Sequence, residues 1–587
     1  MWLAGMFNIL MLDHQPEAPA GRFGRGDITM TINRAGWPLD LNRRDLFGLG
    51  AGALAAATSF GSQAQTAGNP SPPPPAKPKG VVVVGLSQEP VAFNPLMPGV
   101  EVDEVVWTSV FNSLWVAEPD GSLKPDLATE VPSEANGGIA EGGLAWTVKL
   151  RNDVKWHDGT PFTAEDVKYS LELINTPGFK ARTRVGHAFL KDIVVKGPHE
   201  ISWRMEKAYA PYLAMLANTH IVPKHILGKA GDPNTAPFNN APVGTGPFRW
   251  GTRQPGDNIT LVANESYHGD GPYLEKAVLK YVPDMTALYA QFRTGQVDLV
   301  IISGIPANFY QEAVKLQGRK VAVAPSGNLE IIMPNLGNKA FAEKAVRQAL
   351  YAAMDKQAII DAIYYGVPKP TESFAPRESW AFNPNLPAQK RDLDKANKLL
   401  DDAGWKRSGS GTRMKNGAPL EFAVSTTTGN QLREQCQQLM QQDWQQIGAK
   451  MTINNMPAAV IWGEFYVRSK FESLLVGTTF RTGVDPDPAS RFASDAIPVK
   501  GGSGGNYMQW ENADADALMK QGQETFDQEK RKAIYLKLQE IVREELPILP
   551  IFQYAPIEGV KEGLIGYRPN INQRQNAWNM GSWYWAK

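Results

Sequence analysis

The sequence predicts an α/β protein with at least two hydrophobic cores, and three observations support this. The chain has 587 residues, beyond the length at which one core stops growing. Short β-branched runs alternate along it with amphipathic stretches of helical spacing. No self-similar period of about 20 to 50 residues is present, so a solenoid or propeller is not expected.

The first 64 residues read as an address. Asn42-Arg43-Arg44-Asp45-Leu46-Phe47 sets two arginines ahead of Gly48 to Ala57, a weakly apolar run too short to span a bilayer. This resembles a twin-arginine (Tat) signal peptide with a long n-region, within which Met30 is an alternative start. Ser62-Gln63-Ala64 supplies small residues where a signal peptidase needs them, so cleavage after Ala64 is expected. Residues 65–79, with Pro70, Pro72 to Pro75 and Pro78, read as an extended, solvated linker. No cysteine lies there to carry a lipid, and no later segment is apolar over a transmembrane length. A soluble, periplasmic mature chain is expected.

The elements follow in order. Val81 to Val84 before Gly85 is a buried first strand, followed by a loop at Glu89 to Leu96 and a helix over Val102 to Leu114. Ala145 to Leu150 alternates as a half-buried strand does. Trp156 to Phe162 turns on Asp158-Gly159, and Thr163-Ala164-Glu165-Asp166 has the spacing of a capping box opening a helix over Val167 to Ile174. Further helices are expected at Thr286 to Thr294, Glu343 to Tyr364, Leu393 to Ala403, Gln431 to Ile447 and Gln528 to Glu545. Strands are expected at Val297 to Ile302, Glu330 to Met333, Leu420 to Val424, Met451 to Ile453 and Leu474 to Val476.

Composition narrows the function. Lysine plus arginine equals aspartate plus glutamate at 60 each, which lacks the basic footprint of a nucleic-acid binder. The single cysteine, Cys436, allows no intrachain disulfide and no four-thiolate metal site. Its helical surroundings predict a buried, inert thiol. Gly501-Gly502-Ser503-Gly504-Gly505 spells the Gly-x-Ser-x-Gly of a hydrolase but lacks the strand before and helix after that a nucleophile elbow needs; it reads as a flexible loop. His199-Glu200 lacks the second histidine of a zincin, and no phosphate-binding loop occurs. Neither catalysis, a cofactor nor a protein-held metal is expected.

Several segments resemble one family. They are Trp146-Thr147-Val148-Lys149-Leu150-Arg151, Val154 to Val167 with its Trp156-His157-Asp158-Gly159 turn, Pro242-Val243-Gly244-Thr245-Gly246-Pro247-Phe248, Gly295-Gln296-Val297-Asp298, Val346-Arg347-Gln348-Ala349-Leu350, Leu399 to Trp405, and Leu546-Pro547-Ile548-Leu549-Pro550. Each is weak alone. Their order and spacing make Val81 to Lys587 similar to the peptide/opine/nickel-type periplasmic solute-binding proteins of ABC transporters, family 5.

The resemblance implies a two-lobed periplasmic-binding-protein-like fold, type II, with an extra subdomain in lobe one at about 120–207 and two hinge crossings. Lobe one would cover 80–282, lobe two 283–553, and 554–587 would return to lobe one. The crossings are expected near Tyr281 to Asp284 and Ile551 to Tyr554, and His157 as a turn residue. The implied function is to capture a small molecule, peptide or peptide-like, between the lobes and deliver it to the permease subunits of an ABC importer, the receptor acting as a monomer. A sensor without transport, or a binder of an opine, oligosaccharide or nickel chelate, are the alternatives.

In the dipeptide receptors of this family an aspartate shortly before Asp-Pro-Asp takes the peptide's ammonium group. Here Asp485-Pro486-Asp487 puts Thr482 at that place, with Arg481 beside it. Arg481 in the cleft would favour a carboxylate; Arg481 facing solvent or pairing with Asp485 or Asp487 is the structural alternative. The expected lining residues are Phe93, Asn94, Trp107, Trp380, Phe480, Arg481, Thr482, Asp485, Gln553 and Tyr554.

Overall fold

The computed structural model describes residues 72–586, apart from 303, 408–410 and 503. The signal peptide with its cleavage site, most of the proline-rich linker, and Ser503 of the glycine-rich loop lie outside the described residues. Residues 72–79 are largely exposed, and the Tyr584 hydroxyl donates to the Pro72 carbonyl.

Two large sheets organise the chain. The first runs, edge to edge, Arg319–Val323, Ile557–Lys561, Leu299–Val300, Val81–Leu86, Lys276–Tyr281, Asn258–Ala263 and Phe248–Gln254. Val81–Leu86 pairs in parallel with both neighbours, whereas Ile557–Lys561 is antiparallel to both of its own. The second runs Lys369–Pro370, Leu549–Gln553, Leu329–Pro334, Ser473–Thr478, Glu421–Ser425 and Lys450–Ile453. Its central strand reads Leu-Glu-Ile-Ile-Met-Pro and is buried along its length, as a strand covered on both faces must be. Each sheet has its own apolar cores, giving two lobes.

A four-stranded sheet, Ile139–Ala140, Ala145–Lys149, Glu200–Met205 and Leu190–Gly197, stands apart with a core of its own. Trp146 stacks on Trp203 there at 5.8 Å. Asp166 closes the capping box by accepting from Thr163 N at 3.0 Å, starting the helix Ala164–Asn175. Its other oxygen takes Lys224 N, which docks the following chain.

Two of the motifs meet. His157 Nδ1 accepts from Gly244 N at 3.2 Å, and its Nε2 donates to the Gly246 carbonyl at 3.0 Å. Burial pulls His157 down to about 4, so it stays neutral. Gly244 lies so close to the helix Asp103–Val110 that a Cβ would stand 1.8 Å from the Val110 carbonyl oxygen. The turn histidine is therefore a strut between loops.

The first hinge crossing is corrected. Tyr281 to Asp284 does not leave lobe one: Asp284 caps the helix Met285–Thr294 by accepting from Ala287 N, and Leu299–Val300 and Arg319–Val323 rejoin the first sheet. The passage to the second sheet runs through residues 324–328, and the return passes through 554–556. The two passages are bonded side by side, Tyr554 N to Asn328 O and Ala324 N to Pro556 O. Glu343 to Tyr364 forms two helices, Lys344–Ala353 and Lys356–Tyr364, because Asp355 caps the second by accepting from Ala358 N. Val102 to Leu114 is helical only over Asp103–Val110. Among the described residues no helix is long and apolar enough to cross a membrane.

Candidate ligand-binding site

The strand Ser473–Thr478 ends at the gap between the lobes. Beyond it Phe480 turns into the lobe-two core and stacks on Phe492 at 4.7 Å. Thr482 and Asp485 close a tight turn through paired backbone bonds of 3.0 and 3.1 Å. With Phe480 anchored on one side and the turn fixed on the other, Arg481 extends across the gap, where its Nη1 donates to the Ile571 carbonyl at 3.0 Å. Its Nε is buried without a hydrogen-bond partner. Burial pulls its pKa down to about 10, partly offset by Glu378, so it remains charged at neutral pH. Gly327, in the first passage, makes room: a Cβ there would lie 2.0 Å from Arg481 Nη2.

The facing wall belongs to lobe one. The helix Asp103–Val110 presents Glu104, whose Oε1 receives Arg182 at 2.5 Å and Arg574 at 2.7 Å. Behind this knot Trp107 gives its Nε1 hydrogen to the Ala92 carbonyl at 2.7 Å, and Arg182 lies 5.0 Å above its ring. Between the walls is a cavity of about 310 Å³ lined by Arg182, Arg481, Arg491 and Arg574, and by the single carboxylate Glu104. Leu96, Ile174, Met215 and Val484 supply apolar surface. His187 also reaches it, with ring nitrogens 3.1 Å from the Tyr212 hydroxyl and 3.3 Å from that of Thr219. Burial lowers it to about 4. A second cavity of about 180 Å³, among Asn112, Asp126, His220 and Tyr267, is lined by residues of lobe one and the return segment alone.

Of the residues singled out from sequence, Arg481 and Thr482 line the inter-lobe cavity. Asp485 is buried and takes Arg531 through both oxygens at 2.7 and 2.9 Å. Phe93 is core, tilted on Trp250 at 4.7 Å, and Asn94 is buried with its amide on Asn239 and its carbonyl on Leu96 N. Trp107 and Phe480 are likewise packed away from the cavity lining. Trp380 sits between the lobes, over Arg531 at 5.6 Å and against Gly121 of lobe one.

Gln553 and Tyr554 are hinge residues. Gln553 donates to the Ser326 carbonyl at 2.9 Å and to Glu378 at 2.6 Å, and accepts from Arg377 N. Tyr554 and Arg433 both bond the fully buried Glu330. Sequence reading missed Glu104, Arg182, Arg491 and Arg574. Glu104, Arg182 and Arg574 come from distant segments and form no local pattern, whereas Arg491 lies in the helix Ala489–Phe492 just after Asp485-Pro486-Asp487.

A cavity walled by two lobes that share a pair of bonded crossings is a place to enclose a small molecule, and comparison with known proteins decides what kind of protein encloses it. Residues 122–497 match the bacterial extracellular solute-binding proteins, family 5 middle region. The chain belongs to that family.

The oligopeptide-binding protein AppA of Bacillus subtilis is 28% identical over 522 residues, covering 86% of this chain and 92% of the relative. The nickel-binding periplasmic protein of Escherichia coli is 27% identical, covering 79% and 87%. Among solved structures, AppA of Bacillus subtilis with a nonapeptide superposes with a TM-score of 0.72 at 27% identity, covering 88% of this chain and all of that one. NikZ of Campylobacter jejuni with Ni(L-His) gives 0.73 at 26%, covering 86% and 99%. This family 5 protein is thus an extracytoplasmic solute-binding protein that partners an ABC importer.

Proposed function

We propose that this family 5 protein captures a small peptide-like molecule in the cavity between its lobes and presents it, as a monomer, to the importer's permease. The observation that carries this reading is the cavity itself: its lining comes from both lobes, so a molecule held there bonds to each. A ligand with contacts on both lobes favours the conformation that encloses it, and the permease meets a different surface when the receptor is loaded. The peptide-binding relatives supply the ligand class. The alternative of a nickel–histidine chelate draws less support, since both nitrogens of the cavity's histidine, His187, face hydroxyl partners.

The same reading holds the protein to be a receptor without catalytic activity, exported through its twin-arginine segment and cleaved after Ala64. A thermal-shift screen against peptides, opines, oligosaccharides and nickel chelates tests it, because a ligand that binds only the folded state raises Tm. The expected outcome is a shift with peptide-like compounds that mass spectrometry recovers unchanged. Conversion of a hit would overturn the receptor assignment, and a shift confined to sugars or chelates would overturn the ligand class.

A further inference from the structure

We infer that the inter-lobe cavity selects a ligand of roughly dipeptide size that is held by two acidic groups, one on each lobe, without an ammonium anchor. This rests on the reading of the cavity as the capture site and specifies what it captures.

The charge of the walls comes first. Four arginines line the cavity against one glutamate. On the lobe-one side Arg182 and Arg574 share that glutamate through a single oxygen, which leaves most of their donors uncommitted, since each guanidinium carries five. On the lobe-two side neither Arg481 nor Arg491 forms an ion pair among the described residues, and Arg481 donates to the Ile571 carbonyl. Arg481, with one protein acceptor and no ion partner among the described residues, carries a charge that the protein leaves largely unpaired. A carboxylate is the acceptor whose geometry fits a guanidinium fork.

The missing anchor comes second. A ligand ammonium group needs a carboxylate that is free to receive it. Thr482 carries no charge and gives its hydroxyl to the Asp487 carbonyl at 2.9 Å. Asp485, next in the turn, is fully taken by Arg531. Glu104 is held between two arginines.

The volume sets the size: about 310 Å³ lies at the lower end of the roughly 300–1,000 Å³ of small-molecule pockets, which suits a dipeptide-sized molecule.

Isothermal titration of the full chain with three probes tests the inference: N-succinyl-dialanine, with two carboxylates and no ammonium; dialanine, with one of each; and dialanine amide, with the ammonium alone. The expected result is that N-succinyl-dialanine binds at least about tenfold more tightly than dialanine, with the amide weakest. Arg481→Ala should remove most of that preference and Arg481→Lys should restore part of it. Arg491→Gln, further along the same wall, provides a second test should the first variants fold poorly. Tighter binding of dialanine or its amide, or an unchanged preference in the Arg481→Ala and Arg491→Gln variants, would overturn the inference while leaving the peptide-like reading intact. Absence of saturable binding by all three probes would overturn the reading and the inference together.

Discussion

Two arginines on lobe two, Arg531 and Arg481, show how differently the same side chain can be used. Arg531 is enclosed by Asp485, which grips it through both oxygens, by the Tyr535 hydroxyl at 2.8 Å and by the Gly522 carbonyl at 2.9 Å. Burial works against its charge, yet Asp485 and Tyr535 hold it well above its ordinary pKa. Arg481 has one protein acceptor, the Ile571 carbonyl, and a buried Nε with none, and burial pulls its pKa down. A charge whose partners are complete fixes structure; a charge left incomplete beside a cavity is available to a ligand. The pair thus separates what holds lobe two together from what it offers to solute.

The largest expected effect lies on the structural side of that contrast. Arg531→Met leaves Asp485 buried without its cation and should lower stability by about 3–5 kcal/mol, read as the urea midpoint; a loss below about 1 kcal/mol would break the contrast. Next is Asp487, beside the same knot and pushed up to about 6 by burial and by Asp485. A carboxyl that holds its proton more tightly when folded contributes stability at low pH that is lost as pH rises from about 4 through 6. The shift corresponds to about 3 kcal/mol. In Asp487→Asn, urea midpoints from pH 4 to 7 should therefore fall less steeply than in the parent.

On the ligand side, Arg481→Ala should weaken binding by about 1.5–3 kcal/mol, or roughly 10- to 100-fold, with Tm nearly unchanged. A large fall in Tm would place Arg481 with Arg531 instead. The smallest effect is expected from Gly327→Ala, whose new methyl would push the Arg481 head aside without altering any charge. Displacing a flexible side chain from its rotamer costs about 0.5–1.5 kcal/mol, so titration should read a roughly two- to tenfold loss.

Much of the fold was legible because its signals are local. The run Val81 to Val84, the capping box at Thr163 to Asp166 and the helix around Cys436 all have their expected forms, and the Cys436 thiol is buried and pushed up to about 12. The first crossing was misplaced because a proline-flanked extended segment reads alike whether it leaves a lobe or enters a helix. Pro283-Asp284 opens a helix, whereas Ala324-Pro325-Ser326-Gly327-Asn328 makes the passage. The site was legible only on one loop. Arg481 and Thr482 sit beside a recognisable Asp-Pro-Asp, but the partner that occupies Asp485 is 46 residues away, and Glu104, Arg182 and Arg574 meet only after folding.

The strand Ile557–Lys561 lies between Leu299–Val300 and Arg319–Val323, one strand in from the edge of the first sheet. Every strand of the second sheet, by contrast, falls within 329–553. During synthesis the later lobe therefore has all its strands in hand while the earlier lobe still has a slot in its sheet, and such distant pairings are slow to form. Lobe two can finish before lobe one, and the solute cavity, which needs Arg574, comes into being only as the end of the chain is laid in.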